Sequence, residues 1–169
     1  MGRGRDKYGE DLIDRIEVTL TTANDDGSGT DGEVYLICAG REFNVKRAGY
    51  NDREPGQADQ YVLGNGANIE HKGENNPQWM PIYMVWNNPI GLRFEPVAGA
   101  NPPDTWQMSD AYLSVFTEGG YEDFATVEVS LAPSWLGQHF WLVVAAFNLE
   151  IQDEDKTPLK TKNKQPQTG

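Results

Sequence analysis

Gly29-Thr30-Asp31-Gly32-Glu33-Val34-Tyr35-Leu36 and, further along, Asn51-Asp52-Arg53-Glu54-Pro55-Gly56-Gln57-Ala58-Asp59-Gln60-Tyr61 each set a turn rich in side-chain oxygens directly against an apolar strand. The Gly, Asp, Asn and Pro of each turn interrupt a strand, whereas Val34, Leu36 and Tyr61 follow with the period of two that half-buried strands require. A β-sandwich presents a metal-dependent or partner-binding edge in this way.

Working outward, the same alternation predicts strands over 16–22, 33–39, 42–48, 60–63, 81–86, 90–94 and 106–116, separated by clusters of Gly, Pro, Asn and Asp. The polar stretch 67–78 has no periodicity and is expected to be a surface loop, as is 96–104. No segment longer than a few residues has helical spacing. The chain is therefore expected to be all-β, an antiparallel β-sandwich.

The ordered set of motifs resembles the PLAT (lipoxygenase-homology) domain family, in the form of a single-domain, bacterial-type member. That pattern runs strand (16–22), short loop, Gly29-Thr30-Asp31, strand, then the Asn51-Asp52-x-Glu54-x-Gly56 loop leading to Asp59 and an aromatic strand. Trp106, with Met108, Ala111, Leu113 and Val115 after it, matches the Trp that starts a late sandwich strand. The resemblance covers 14–118. It implies that the two acidic loops meet at one edge and that some members bind Ca²⁺ there, here through Asp31, Asn51, Asp52 and Glu54, with a carbonyl of Gly29 or Thr30. Asn24, Asp25 and Asp26 lie in the first loop and would serve a second site. Three carboxylates and an amide suit a hard cation, which takes six to eight oxygen ligands. Turn chemistry explains the same residues equally well, because Asx side chains bond nearby backbone N–H groups. An EF-hand is excluded: counted from Asp26, the sixth position is Asp31 and the twelfth Ile37.

Asp59 and Tyr61 are expected to be structural. Trp86, Trp106 and Trp141 fall in expected strands, whereas Trp79 and Trp135 adjoin loops, where an indole serves as an anchor for a membrane interface or a protein partner. Cys38 shares a strand face with Val34 and Leu36 and reads as a core thiol. As the single cysteine it forms no internal disulfide.

Beyond Thr117 the resemblance ends. Val127, Val129 and Leu131 alternate, 133–138 reads as a connection, and 140–151 reads as a long strand, so 123–151 is expected to add a C-terminal hairpin. Residues 1–13 form an expected flexible arm, 14–151 the sandwich, and 152–169 a tail carrying Lys156, Lys160, Lys162 and Lys164 after Asp153-Glu154-Asp155. That tail suits solubility, or a grip on an acidic neighbour such as another copy of the chain.

Formal net charge is −12; it sums to zero over 1–15 and +1 over 152–169, so 16–151 carries −13. Such a body argues against nucleic acid as a partner and disfavours anionic lipid unless bound cations reverse the sign locally. The longest apolar run, 140–147, has eight residues, too few to span a bilayer. The N-terminus has no apolar core of a secretory signal, so intracellular production, cytoplasmic or within an assembly, is expected. His71 and His139 belong to no catalytic motif, and no nucleophile elbow or phosphate loop occurs. The expectation is a non-enzymatic binding module for a protein or lipid partner, calcium-dependent as in some family members. The alternative is a structural subunit of a self-assembling filament, particle or phage-like machine.

Overall fold

A computed structural model describes residues 11–118, 127–131, 133–139, 142–144 and 150–151. Of the expected arms at 1–13 and 152–169, residues 1–10 and 152–169 lie outside the described residues; Leu12 and Ile13 are instead buried, Leu12 bridging to Pro81. The chain runs β1 (Ile13–Thr22), β2 (Glu33–Cys38), β3 (Arg41–Asn44), β4 (Ala58–Gly64), α1 (Tyr83–Trp86), β5 (Gly91–Glu95), β6 (Trp106–Thr117), β7 (Val127–Leu131), β8 (Ser134–Leu136), β9 (Leu142–Val144) and β10 (Glu150–Ile151). Every strand pair is antiparallel: a six-stranded sheet ordered β10-β7-β6-β1-β4, with β8 also on β6, and a four-stranded sheet ordered β3-β2-β5-β9. The all-β, antiparallel sandwich expected from the alternation is what the chain forms.

Ile16, Val18 and Leu20 of β1 face Val34, Leu36, Phe43, Leu92 and Phe94 in a single core. Trp106 is fully buried there; its indole N–H donates to Thr22 Oγ1 at 3.0 Å, and its ring lies 6.2 Å from that of Phe94. A buried indole without such an acceptor would leave a desolvated donor.

The inward residues of β6 change parity, from Trp106 and Met108 to Ala111, Leu113 and Val115. A bulge makes this possible. Thr22 pairs with Met108 while Thr21 pairs with Asp110, so Ser109 is the extra residue, and its hydroxyl donates to Thr21 O at 3.2 Å.

Two local expectations are overturned. Within 81–86, expected as a strand, Tyr83–Trp86 form a helical turn: Ile82 and Val85 are buried at a spacing of three, and a short apolar run does not distinguish the two periods. Asn87 and Asn88 then donate their amides to the carbonyls of Tyr83 and Met84 at 2.9 and 2.8 Å, satisfying the turn's C-terminal end. Residues 134–136, expected in a connection, are β8. Trp106↔Leu136, Met108↔Ser134 and Ala111↔Leu131 share one register, so β7 and β8 are a single strand line beside β6 interrupted at Pro133, which has no N–H for a ladder. The C-terminal segment also does more than pair with itself. β7 and β10 pair antiparallel in the six-stranded sheet, while β9, which lies between them in the chain, joins β5 in the other sheet.

The polar stretch 67–78 is built to close sheet edges. Asn68 Oδ1 accepts from Val62 N at 2.8 Å and its amide donates to Gln60 O at 3.0 Å, on the outer edge of β4. Buried Asn75 does the same for Asn44 N on β3 at 2.7 Å. Both edges are thereby partly denied to another strand.

Candidate functional site

The register of β1 on β6, from Ile13↔Thr117 to Thr22↔Met108, divides the loops between two ends. Residues 23–32, 51–57, 96–105 and Trp135 gather at the end where β1 finishes, which we call the loop end. Trp79 lies at the other, where Ile13 N donates to Met80 O at 2.9 Å. Ten residues of β1 at about 3.3 Å each separate them by about 30 Å. The two tryptophans singled out from sequence, 62% and 52% exposed, are therefore not one surface.

Three loops meet at the loop end through the signature residues. Thr30 N donates to Arg53 O at 3.3 Å. The Thr30 hydroxyl accepts from Gly32 N at 2.8 Å and lies 2.9 Å from both carboxylate oxygens of Asp104, to which it donates; Asp104 Oδ2 also accepts from Val97 N at 2.9 Å. Gly29 leaves room for Arg53 O and Pro55, which a Cβ would meet at 2.8 and 2.9 Å. Gly-Thr-Asp-Gly is thus a joint: one hydroxyl ties 23–32 to 96–105, and close backbone approach ties it to 51–57.

The second motif closes around a buried cation. Arg53 is 2% exposed, and its backbone φ of 64° turns the chain so that its guanidinium points inward. Nη1 donates to Val45 O at 2.9 Å and to Tyr61 Oη at 3.3 Å, and Nη2 donates to Gly32 O at 3.0 Å. Asp52 lies 3.3 Å from Nη1 and accepts from Arg47 N at 3.0 Å. Asp59 Oδ2 accepts from Arg53 N at 2.7 Å. Burial raises the Tyr61 hydroxyl far above its ordinary pKa and keeps it neutral.

Burial, aided by the nearby Asp52 charge, also raises the Asp59 carboxyl against the lowering effect of the Arg53 N–H. The folded chain thus holds that proton more tightly than the unfolded chain. This contribution favours folding below the unfolded pKa and is lost as pH rises through the raised one. Asp59→Asn removes the titration, so its stability relative to wild type is expected to fall as pH drops from 7 to 4 in paired urea titrations. A difference independent of pH would contradict the assignment.

The four residues expected to hold Ca²⁺ are distributed as follows. Asp31 is exposed, on the wall of an open pocket of about 300 Å³ that Asp104, Val97, Ala100, Pro102 and Pro103 also line. Its carboxylate has no partner among the described residues. Asn51 and Glu54 bond each other, amide to carboxylate, at 2.7 Å. Asp52 is buried against Arg53. The Thr30–Arg53 backbone bond does bring the two loops together, with Asp31 and Glu54 each one residue from it. Of the four, Asp52 alone is turned inward, toward the guanidinium and Arg47 N. Among the described residues, no group of three or more His, Cys, Asp or Glu side chains is arranged to hold a metal.

Sequence reading missed Arg53, Thr30 and Asp104 as the bracing residues. An arginine between two acids reads as a solvated loop cation, and Asp104 is 74 positions from Thr30. Gln107 was missed too. With its amide oriented to satisfy both neighbours, its nitrogen donates to Asp25 Oδ2 at 3.1 Å and its oxygen accepts from Trp135 Nε1 at 3.2 Å, fixing the exposed indole at the loop end. Cys38 is buried, and burial pushes its thiol up to about 12, as a core thiol requires. No helix among the described residues is long and apolar enough to cross a membrane.

No protein-family profile and no curated protein matches the chain. Among solved structures it is similar to the alpha toxin from Clostridium absonum, at 17% identity and a TM-score of 0.49, over 83% of this chain and 33% of that one. The chain spans about a third of that structure's length.

Proposed function

We propose that the chain is a non-enzymatic, PLAT-like binding module that engages a protein or lipid partner with its loop end. One observation carries this reading. The loop end is braced by Thr30, Asp104 and Arg53, yet it leaves the Asp31 carboxylate unpaired among the described residues, on the wall of a pocket, and an exposed, anchored Trp135 lies at the same end of the sandwich. A frame already ordered gives up less entropy when a partner docks. Unspent polar and aromatic groups on such a frame suit recognition better than architecture.

Calcium enters the proposal in reduced form, at Asp31 with the Asn51–Glu54 pair. Two carboxylates and an amide make a weak site, of about millimolar affinity. At ten times that concentration, binding only to the folded chain contributes about 1.4 kcal/mol, a rise in Tm of about 3–6 °C. Thermal unfolding during a calcium titration is expected to show this rise in wild type and to lose it in Asp31→Ala. Asp52→Asn is expected to lower Tm while keeping the calcium response, because Asp52 faces Arg53. A wild type indifferent to calcium removes the cation from the proposal. Binding to phosphatidylcholine vesicles, measured with Trp135→Ala and Trp79→Ala, tests the loop end itself: only the first substitution is expected to weaken it, and equal losses would sink the assignment of that end.

A further inference from the structure

The loop-end pocket is an apolar cavity that holds one unpaired charge. Val97, Ala100, Pro102 and Pro103 give its apolar lining, and Asp31 and Asp104 its carboxylates. Asp104 belongs to the frame, since the Thr30 hydroxyl and Val97 N donate to it. Asp31 is exposed, and no described residue pairs with it. The pocket volume of about 300 Å³ is at the lower end for ligand sites and suits one side chain rather than a length of backbone. Low-dielectric walls around charges of one sign concentrate the field on a bound cation, and residues 16–151 carry −13 behind it.

A long aliphatic stem ending in a primary ammonium matches this chemistry. Lysine methylenes lie along apolar surface while the ammonium stays with its carboxylate. Among the described residues no aromatic ring lines the pocket, so a quaternary ammonium lacks the ring faces that recognise it. An ammonium turns its three donors freely toward carboxylates on two loops, whereas the rigid guanidinium fork matches one at a time. The −13 body also selects the source of the ammonium. In an aminophospholipid headgroup the ammonium is joined through a short linker to a phosphate, which docking would press against the same carboxylates. A lysine on a protein brings no anion with it.

Resting on the loop end as the binding surface, we infer that this pocket receives a lysine side chain of a protein partner, with Asp31 meeting the ammonium and Val97, Ala100, Pro102 and Pro103 walling its stem.

Backbone amide shifts of the isotope-labelled full chain, titrated with the peptide acetyl-Gly-Lys-Gly amide, test this. Shifts are expected in 27–31 and 97–105 and to weaken with salt. The same peptide acetylated on the lysine amine keeps the stem, loses the charge and is expected not to bind. Asp31→Asn is expected to weaken binding about tenfold, the loss of roughly one charge-assisted hydrogen bond. Ala100→Phe keeps every charge, fills the cavity and is expected to abolish binding. Asp110→Asn removes an exposed carboxylate of β6 and is expected to leave binding unchanged, which separates the pocket from net charge. Circular dichroism melts establish that the three variants are folded.

Equal binding of the acetylated peptide, or equal weakening by Asp31→Asn and Asp110→Asn, overturns the inference. Asp31-dependent binding of phosphatidylethanolamine vesicles without peptide shifts assigns the pocket to lipid and overturns it as well. A chain that ignores the peptide yet binds phosphatidylcholine vesicles through Trp135 overturns lysine recognition alone and leaves loop-end binding standing. A chain that binds neither peptide, vesicles nor calcium overturns both.

Discussion

Arg53→Met is expected to cost about 3–5 kcal/mol, because it removes the cation from a buried site and leaves Asp52 charged and desolvated with the carbonyls of Val45 and Gly32 unpaired. Methionine fills much of the volume, so the loss reports charge and hydrogen bonding more than a cavity. In a chain of this length the deficit lowers Tm by roughly 10 °C. A second comparison separates the causes: adding Asp52→Asn and Asp59→Asn to Arg53→Met removes the uncompensated charges and is expected to recover part of the loss. Urea unfolding of wild type, the single variant and the triple variant measures both effects. A cost below about 1 kcal/mol for the single change would mean that Arg53 is a spectator.

The second large effect is expected at Gly32. Here space, not backbone freedom, demands glycine: a Cβ would stand 2.7 Å from Glu95 O, 2.7 Å from Phe94 Cε2 and 2.8 Å from Asp104 Oδ2. The Glu95 carbonyl belongs to a residue paired with Glu33 and cannot step aside without disturbing that ladder. Gly32→Ala is expected to cost about 1–3 kcal/mol through overpacking and to push Asp104 away from Thr30. That displacement widens the pocket, so the variant is also expected to lose loop-end binding more than its stability loss alone explains. Gly73→Ala, at a position where a Cβ meets nothing within 4 Å, is the control and is expected to be neutral within about 0.5 kcal/mol. Equal effects at both positions would refute the packing argument.

These two residues explain why the loop motifs recommend a fold more firmly than a function. In Gly29-Thr30-Asp31-Gly32, three of the four residues act in the joint, through close approach at Gly29 and Gly32 and through the Thr30 hydroxyl; only Asp31 is left to meet something outside. In Asn51-Asp52-Arg53-Glu54 the inner pair is buried and the outer pair faces solvent. An acidic turn and a metal loop look alike in a sequence because both need short oxygen-bearing side chains next to glycine. They differ in where the carboxylates point. That direction is set by φ at Arg53 and by which carbonyls the guanidinium reaches.

Periodicity alone was enough for the all-β class, the positions of β1, β2, β5 and β6, and the inward faces of Val34, Leu36 and Val115, since burial on one face of a strand imposes a period of two wherever the chain folds. It could not separate a helical turn from a strand at 83–86, where the apolar run is too short to display either period. Nor could it align β8 with β7 across Pro133, because register depends on the partner strand. The bracing of the loop end and the separation of Trp79 from Trp135 rest on contacts between residues far apart in the chain, Thr30 with Asp104, Gly32 with Arg53 and Gln107 with Trp135. The first two need loops carried by different strands to meet at one end of the sandwich, the third needs β8 to pair with β6, and no local pattern in the chain encodes any of them.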